Sequence, residues 1–136
     1  MRVALALLLL IAAAPARAEW VKVETSERGF FSSVLSGETV YYIDPSTITR
    51  EGSFRRVWEI HDLGDKGSQG ERSILASVEY DCAENRMRTL KATGKSQRMA
   101  RGEIIPLRQV FDEWIVLRRG KDDEMFFRIL KIVCAP

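Results

Sequence analysis

Residues 73–82 read Ser-Ile-Leu-Ala-Ser-Val-Glu-Tyr-Asp-Cys, and their pattern fixes the class of fold. Ile74, Ala76, Val78, Tyr80 and Cys82 fall on one side of an extended chain. Ser73, Ser77, Glu79 and Asp81 fall on the other, with Leu75 the exception. A period of two predicts a half-buried strand and points Cys82 into the core. Ala83-Glu84-Asn85 then turns the chain, and Arg86 to Thr93 returns as the second arm of a hairpin. Gly94 to Arg101 reads as loop, and Glu103 to Leu107 as a short strand ended near Pro106.

The period changes near the C-terminus. Asp122, Asp123 and Glu124 suit a helix start, where the dipole favours negative charge. Phe126, Ile129, Leu130 and Val133 then recur at helical spacing, which predicts an amphipathic helix from about Asp122 to Cys134. Upstream, Phe54 to His61 reads as a strand whose alternation is broken by Arg56, in phase with Phe54, Trp58 and Ile60. Thr39 to Ile43 is β-branched and aromatic and reads as another strand. Asp44-Pro45 after it suits the cap and first position of a helical turn. Trp20 to Val23 is a first short strand. Thr25 to Glu38 is mostly loop, with Phe30, Phe31, Val34 and Leu35 at helical spacing inside it. Short strands joined by turns, then one helix, give an α+β fold: an antiparallel sheet of about five or six strands with a C-terminal helix packed on it.

The chain starts Met1-Arg2, runs apolar from Val3 to Ala14, and ends that run with Pro15-Ala16-Arg17-Ala18. A positive start, a short apolar stretch and small residues two apart predict a signal peptide over residues 1–18, cleaved before Glu19. The apolar run is too short to span a bilayer as a helix, which takes about 20 residues. Residues 19–136 then form a single domain, exported and soluble. No cysteine near the cleavage site offers a lipid anchor. Loss of Arg2 and Arg17 takes the 21 basic residues to 19, equal to the 19 acidic ones. Overall charge therefore predicts no nucleic-acid binding.

Both cysteines, Cys82 and Cys134, lie in that domain. An even count in an oxidising compartment favours one disulfide over a metal pair or two free thiols. Zinc wants about four ligands, and His61 is the one other good candidate. The link closes 52 residues, for which chain entropy gives about 4 kcal/mol as an upper guide.

Chemistry is sparse. His61 is the sole histidine, and Asp62 beside it points to the opposite face of a strand. No G-x-S-x-G, P-loop, G-x-G-x-x-G or H-E-x-x-H occurs. Nothing selects a pair of carboxylates from the acidic residues. The reading is a non-enzymatic domain with no cofactor and no metal.

One local feature stands out. Arg86 to Arg101 holds Arg86, Arg88, Lys91, Lys95, Arg98 and Arg101 and no acidic residue. Arg86, Arg88, Lys95, Arg98 and Arg101 form the candidate site for an anionic partner: an acidic protein surface, a sulfated glycan or an anionic envelope surface. Lys91, odd in step, is expected on the far side of the strand. The competing view is a solvated hairpin edge whose cations discourage aggregation. No stacking aromatics are interleaved, so nucleic acid is excluded.

The residues spread over the domain also carry a resemblance. They are Trp20-Val21-Lys22-Val23, Val40-Tyr41-Tyr42-Ile43-Asp44-Pro45-Ser46-Thr47-Ile48, Val57-Trp58, Tyr80-Asp81-Cys82 and Lys131-Ile132-Val133-Cys134. In these the chain resembles the bacterial surface-adhesin protein E family. The resemblance implies an antiparallel sheet with a helix on it, the same disulfide and Gram-negative export. It also implies adhesion, since the family's named adhesins bind host matrix proteins such as vitronectin and laminin. Two other readings stand beside it: a periplasmic structural or envelope protein, and a small hydrolase with an acidic pair. Exposed sheet margins further predict a weak homodimer.

Overall fold

The computed structural model describes residues 17–23, 38–108, 110, 112–119 and 124–136. The expected signal peptide up to residue 16, the turn containing Phe30 to Leu35, and Asp122 and Asp123 lie outside them. Among the described residues seven strands form one antiparallel sheet. They are β1 Val21–Val23, β2 Val40–Glu51, β3 Phe54–Asp62, β4 Ser73–Asp81, β5 Arg86–Lys95, β6 Ile104–Ile105 and β7 Ile115–Val116. The strands lie side by side in chain order from β1 to β6, and β7 also pairs with β5. The helix, α1, spans Glu124–Val133 and packs against β1 and β2.

The sheet has two unlike faces. Opposite residues in an antiparallel pair share a face, so the register Val57↔Val78, Glu59↔Ala76 and Tyr80↔Met87 defines the helix side. There Ile43, Val57, Ala76, Val78, Tyr80 and Met87 meet Ile129, Leu130 and Val133 of α1 in one buried core. The alternation of Ile74 to Tyr80 is thus the core face, as its period requires. Cys82 sits just past β4, and its sulfur joins Cys134 at 2.08 Å, tying the C-terminal end of α1 to the central hairpin.

Three local expectations are corrected. Asp44-Pro45 does not open a helical turn: β2 runs on through it to Glu51, with a bulge between Asp44 and Thr49. Pro45 has no amide to give the ladder, and side chains take over there. The Asp44 carboxylate accepts from the Ser46 amide at 3.0 Å and the Ser46 hydroxyl at 2.6 Å. The Thr47 hydroxyl donates to the Asp44 carbonyl at 2.7 Å and accepts from the Trp58 amide at 3.0 Å, so it bridges the two strands. The strand expected over Glu103 to Leu107 shrinks to Ile104–Ile105, and β7 joins the sheet unforeseen.

The third correction concerns Lys91. The register passes from Val78↔Thr89 to Ser77↔Lys91, so Leu90 is an extra residue. This bulge reverses the parity of β5. Lys91 therefore returns to the face that carries Arg86 and Arg88, not the opposite one. All four cations of β5 share the open face, away from α1.

Candidate functional site

The two halves of the basic segment meet different surroundings. On the open face near the hairpin turn, Glu79 of β4 stands between Arg56 of β3 and Arg88 of β5. Arg56 Nε donates to Glu79 Oε2 at 2.8 Å, and Arg88 Nη2 and Nε donate to Oε1 at 2.6 and 2.9 Å. Arg86 Nε donates to Asp81 Oδ2 at 2.9 Å, and the Ala83 and Glu84 amides cap Asp81 Oδ1 at 3.1 and 3.3 Å. Trp114 lies over both guanidiniums, 4.4 Å from Arg86 and 4.5 Å from Arg88, and stacks on Phe54 at 5.9 Å.

Both acids are buried, which alone raises a carboxyl's pKa. For Glu79 the hydrogen bonds and charges of Arg56 and Arg88 outweigh burial, and the net shift is downward. For Asp81 the Arg86 bond and the two turn amides do the same. Arg86 and Arg88 are thus structural counter-ions. The sequence signal was present: folding the chain about Ala83-Glu84 sets Arg86 opposite Asp81 and Arg88 opposite Glu79. The out-of-phase Arg56 finds its explanation in the same pairing.

The second half forms a loop at the other end of β5. Ser96 donates its amide to the Glu103 carbonyl at 2.9 Å, and Gln97 to Arg101 at 3.1 Å, so the segment closes on itself. Met99 and Ala100 are left-handed, with φ of 57° and 54°. Non-glycine residues seldom adopt that region, and here the sheet compels them. The Met99 amide donates to Asp62 Oδ1 at 3.0 Å and the Ala100 amide to the Ser73 hydroxyl at 2.9 Å. Ser73 in turn donates to the Gln97 carbonyl at 2.6 Å. Asp62 and Ser73 are themselves buried.

This fixed loop displays Arg98 and Arg101 outward. Arg98 is about half exposed; its Nη1 lies 3.6 Å from Asp62 Oδ2 and its Nη2 donates to the Leu63 carbonyl at 3.2 Å. Lys95 is half-buried at the loop's base. Tyr42 is close enough to feel the same charges: burial raises its pKa most, Asp62 adds to that, and Arg98 offsets part of it. One further exposed cation borders the loop: the Arg72 amide donates to the Lys95 carbonyl at 2.9 Å. It lies outside the basic stretch of sequence, and the pairing of β4 with β5 brings it there. Arg86 and Lys95 stand at opposite ends of β5, about 30 Å apart at the rise of an extended strand. Lys95, Arg98 and Arg101 are brought together; Arg86 and Arg88 are not part of that group.

His61 is placed for structure. Its Nε2 is 2.7 Å from Glu59 Oε2, and the Tyr80 hydroxyl donates to Glu59 Oε1. Its ring packs on Tyr41 at 4.6 Å and Phe126 at 5.8 Å. Asp62 points to the other face, as its position one residue on requires. Among the described residues no three His, Cys, Asp or Glu side chains gather as a metal site.

Comparison with known proteins agrees with this architecture. Three solved structures of Haemophilus influenzae protein E share the fold. The selenomethionine form matches with a TM-score of 0.62 at 12% identity, covering 88% of each chain. Protein E from non-typeable Haemophilus influenzae matches with a TM-score of 0.60 at 15% identity, covering 88% of this chain and 77% of that one. Crystal form II matches with a TM-score of 0.58 at 14% identity, covering 69% of this chain and 79% of that one. Comparison with the curated proteins gives no match. The model of the surface-adhesin protein E family matches residues 20–135, nearly the whole of the chain beyond its apolar N-terminal run, and the chain belongs to that family.

Proposed function

We propose that this protein is an exported, non-enzymatic binding module of the adhesin type that takes an anionic partner on the Lys95–Arg101 loop. Membership in a surface-adhesin family supports adhesion as the general role. The observation that carries the residue-level reading is the loop's enforced shape. Two left-handed residues are held by buried Asp62 and Ser73, and the reward for that strain is a fixed presentation of Arg98 and Arg101. Arg72 extends the positive surface. The partner classes are a host extracellular-matrix protein or an anionic envelope or glycan surface such as heparin or lipopolysaccharide.

Substituting Lys95, Arg98 and Arg101 together by glutamine tests this. Binding to heparin should fall while the melting temperature stays within a degree or two. Exposed charges act over about 8 Å at physiological salt, so the binding should also weaken as salt rises. Heparin binding unaffected by the triple change, or absent from the start, overturns the assignment. Arg86 and Arg88, tied to Asp81 and Glu79, should contribute little to it.

The periplasmic alternative is separated by protease added to intact cells, which digests a surface-displayed adhesin and spares a periplasmic protein. Intact mass reports whether the exported chain begins at Glu19. Among the described residues no helix is long and apolar enough to cross a membrane. A weak homodimer is expected from the β6–β7 margin, where Ile104, Ile115 and Val116 are exposed. Light scattering at high concentration reads it.

A further inference from the structure

The open face of the sheet, opposite α1, is a floor of cross-strand rows. Opposite residues share a face, so Trp58, Ser77 and Lys91 form one row on β3, β4 and β5, and Ile60, Leu75 and Thr93 the next. Trp58, Leu75, Ser77 and Thr93 are half-buried, so the floor combines an indole, apolar surface and two hydroxyls. The carboxylates of β3 and β4 on this face are already engaged. Arg56 and Arg88 hold Glu79, Arg86 holds Asp81, and Asp62 accepts from the Met99 amide with Arg98 3.6 Å away. On β2, buried Asp44 accepts from Ser46, and Glu51 lies at the far end near Arg56. Lys91 is exposed, and among the described residues no carboxylate pairs with it. The same holds for Lys95 and Arg101. Nearby Glu71 accepts from the Gln69 amide, and Glu103, Asp112 and Glu113 form no ion pair with any of the three cations.

Building on the loop reading above, we infer that the anionic partner is a linear sulfated glycan, seated on the Lys95–Arg101 loop and running along β5 over the open face as far as Lys91. Lys91 and Lys95 are four residues apart on one strand, about 13 Å at the rise of an extended chain, and the loop adds Arg98 and Arg101 at the Lys95 end. Cations set along a line match a chain that bears anionic groups at intervals, where a compact anion would need them gathered at a point. The line exists because of the Leu90 bulge, which returns Lys91 to this face. The floor beside the line supplies the rest of the recognition. A sugar ring turns C–H groups to an aromatic face, here Trp58, and hydroxyls to polar neighbours, here Ser77 and Thr93. The pairing of β4 with β5 from Ser73 to Asp81 makes this a pre-formed surface, so binding orders little of the protein.

Heparin octasaccharide is the probe, titrated into the full exported chain labelled with ¹⁵N. Saturable shifts are expected at the amides of Lys91, Thr93 and Arg98 and at the Trp58 indole N–H. Lys91→Gln alters one exposed, unpaired residue and should keep its melting temperature. It should weaken the octasaccharide about two- to five-fold, the scale of one exposed charge contact. It should also lower the slope of log affinity against log salt by about one unit, because one fewer cation displaces counterions from the chain. Polyglutamate of matched charge has no sugar rings and should bind at least about five-fold more weakly; equal affinity overturns the glycan assignment. An octasaccharide affinity unchanged in Lys91→Gln, beside a clear loss in the variant Lys95→Gln, Arg98→Gln, Arg101→Gln, overturns the extended site and leaves the loop reading standing. No octasaccharide binding, or binding that neither variant weakens, overturns both. Flotation with phosphatidylglycerol vesicles that Lys91→Gln abolishes, without octasaccharide shifts, overturns the glycan in favour of a lipid surface.

Discussion

Changing Tyr80 to phenylalanine isolates one hydroxyl in the core. Glu59 is fully buried on the helix side of the sheet, with two protein partners for its carboxyl group: the Tyr80 hydroxyl and His61 Nε2. Burial raises the Tyr80 pKa well above its ordinary value, and the charge and hydrogen bond of Glu59 raise it further. The phenol therefore stays protonated at neutral pH and donates to Glu59. Tyr80→Phe keeps the ring, so no cavity opens and the transfer term is small. What is lost is a hydrogen bond to a buried carboxylate, roughly 1.5–3 kcal/mol. For a domain of this size that is a fall in melting temperature of roughly 6–12 °C. Urea unfolding at pH 7 measures it, with an unchanged slope against denaturant showing that both states keep their compactness. A double-mutant cycle with Glu59→Gln should return a coupling of about 1 kcal/mol or more. A loss under about 0.5 kcal/mol in the single variant, or no coupling in the cycle, would refute the reasoning.

Three other outcomes can be checked on the same protein. Cys82→Ser should destabilise by up to about 4 kcal/mol, since 52 residues of chain are released; thermal melts with and without reductant should converge for the variant and diverge for the parent. Gly102→Ala should destabilise by roughly 1–2 kcal/mol, because φ there is 81° and an added Cβ would lie 2.2 Å from the Ser96 hydroxyl; its heparin retention should drop with it. Glu79 and Asp81 have depressed folded pKa values, so their stabilisation is present above the ordinary carboxylate range, near pH 4, and is lost as pH falls through the lower folded values; Glu79→Gln should flatten that acid limb in a series of urea melts, and an unaltered limb would contradict the assignment.

The central strand and the helix were legible because each has one buried face and a clean period. Ile74 to Tyr80 and Phe126 to Val133 announce themselves without tertiary knowledge. Where side chains replace main-chain pairing the pattern misleads: Asp44-Pro45-Ser46-Thr47 has the composition of a helix start and serves as a bulge, because Thr47 reaches the Trp58 amide. The Leu90 bulge is invisible to a period of two, and it alone moved Lys91 to the other face. Two-residue strands such as β6 and β7 carry too few positions for any period to show. The candidate site was legible only in part. Lys95, Arg98 and Arg101 are neighbours in sequence, but the carboxylates that hold Arg86 and Arg88 belong to β4, and Asp62 and Ser73 come from strands read for other reasons. Charge counted along a chain overlooks charge supplied across a sheet.

The Ser96–Gly102 loop is shaped mostly through its backbone, joined by the Ser96 hydroxyl, which accepts from the Glu103 amide at 2.7 Å. Met99 and Ala100 contribute amides, Gln97 a carbonyl, and the fixed groups are Asp62 and Ser73 on the strands beneath. Among residues 97–101, Arg98 also bonds through its side chain, to the Leu63 carbonyl and Asp62. A surface built this way separates the groups that hold the fold from the side chains displayed for recognition. Selection acting on a binding partner, or on an immune receptor, can rewrite the displayed side chains while the frame that presents them stays the same. A transplanted peptide of similar length would inherit the same frame, which makes this segment the natural place to graft a new specificity onto the domain.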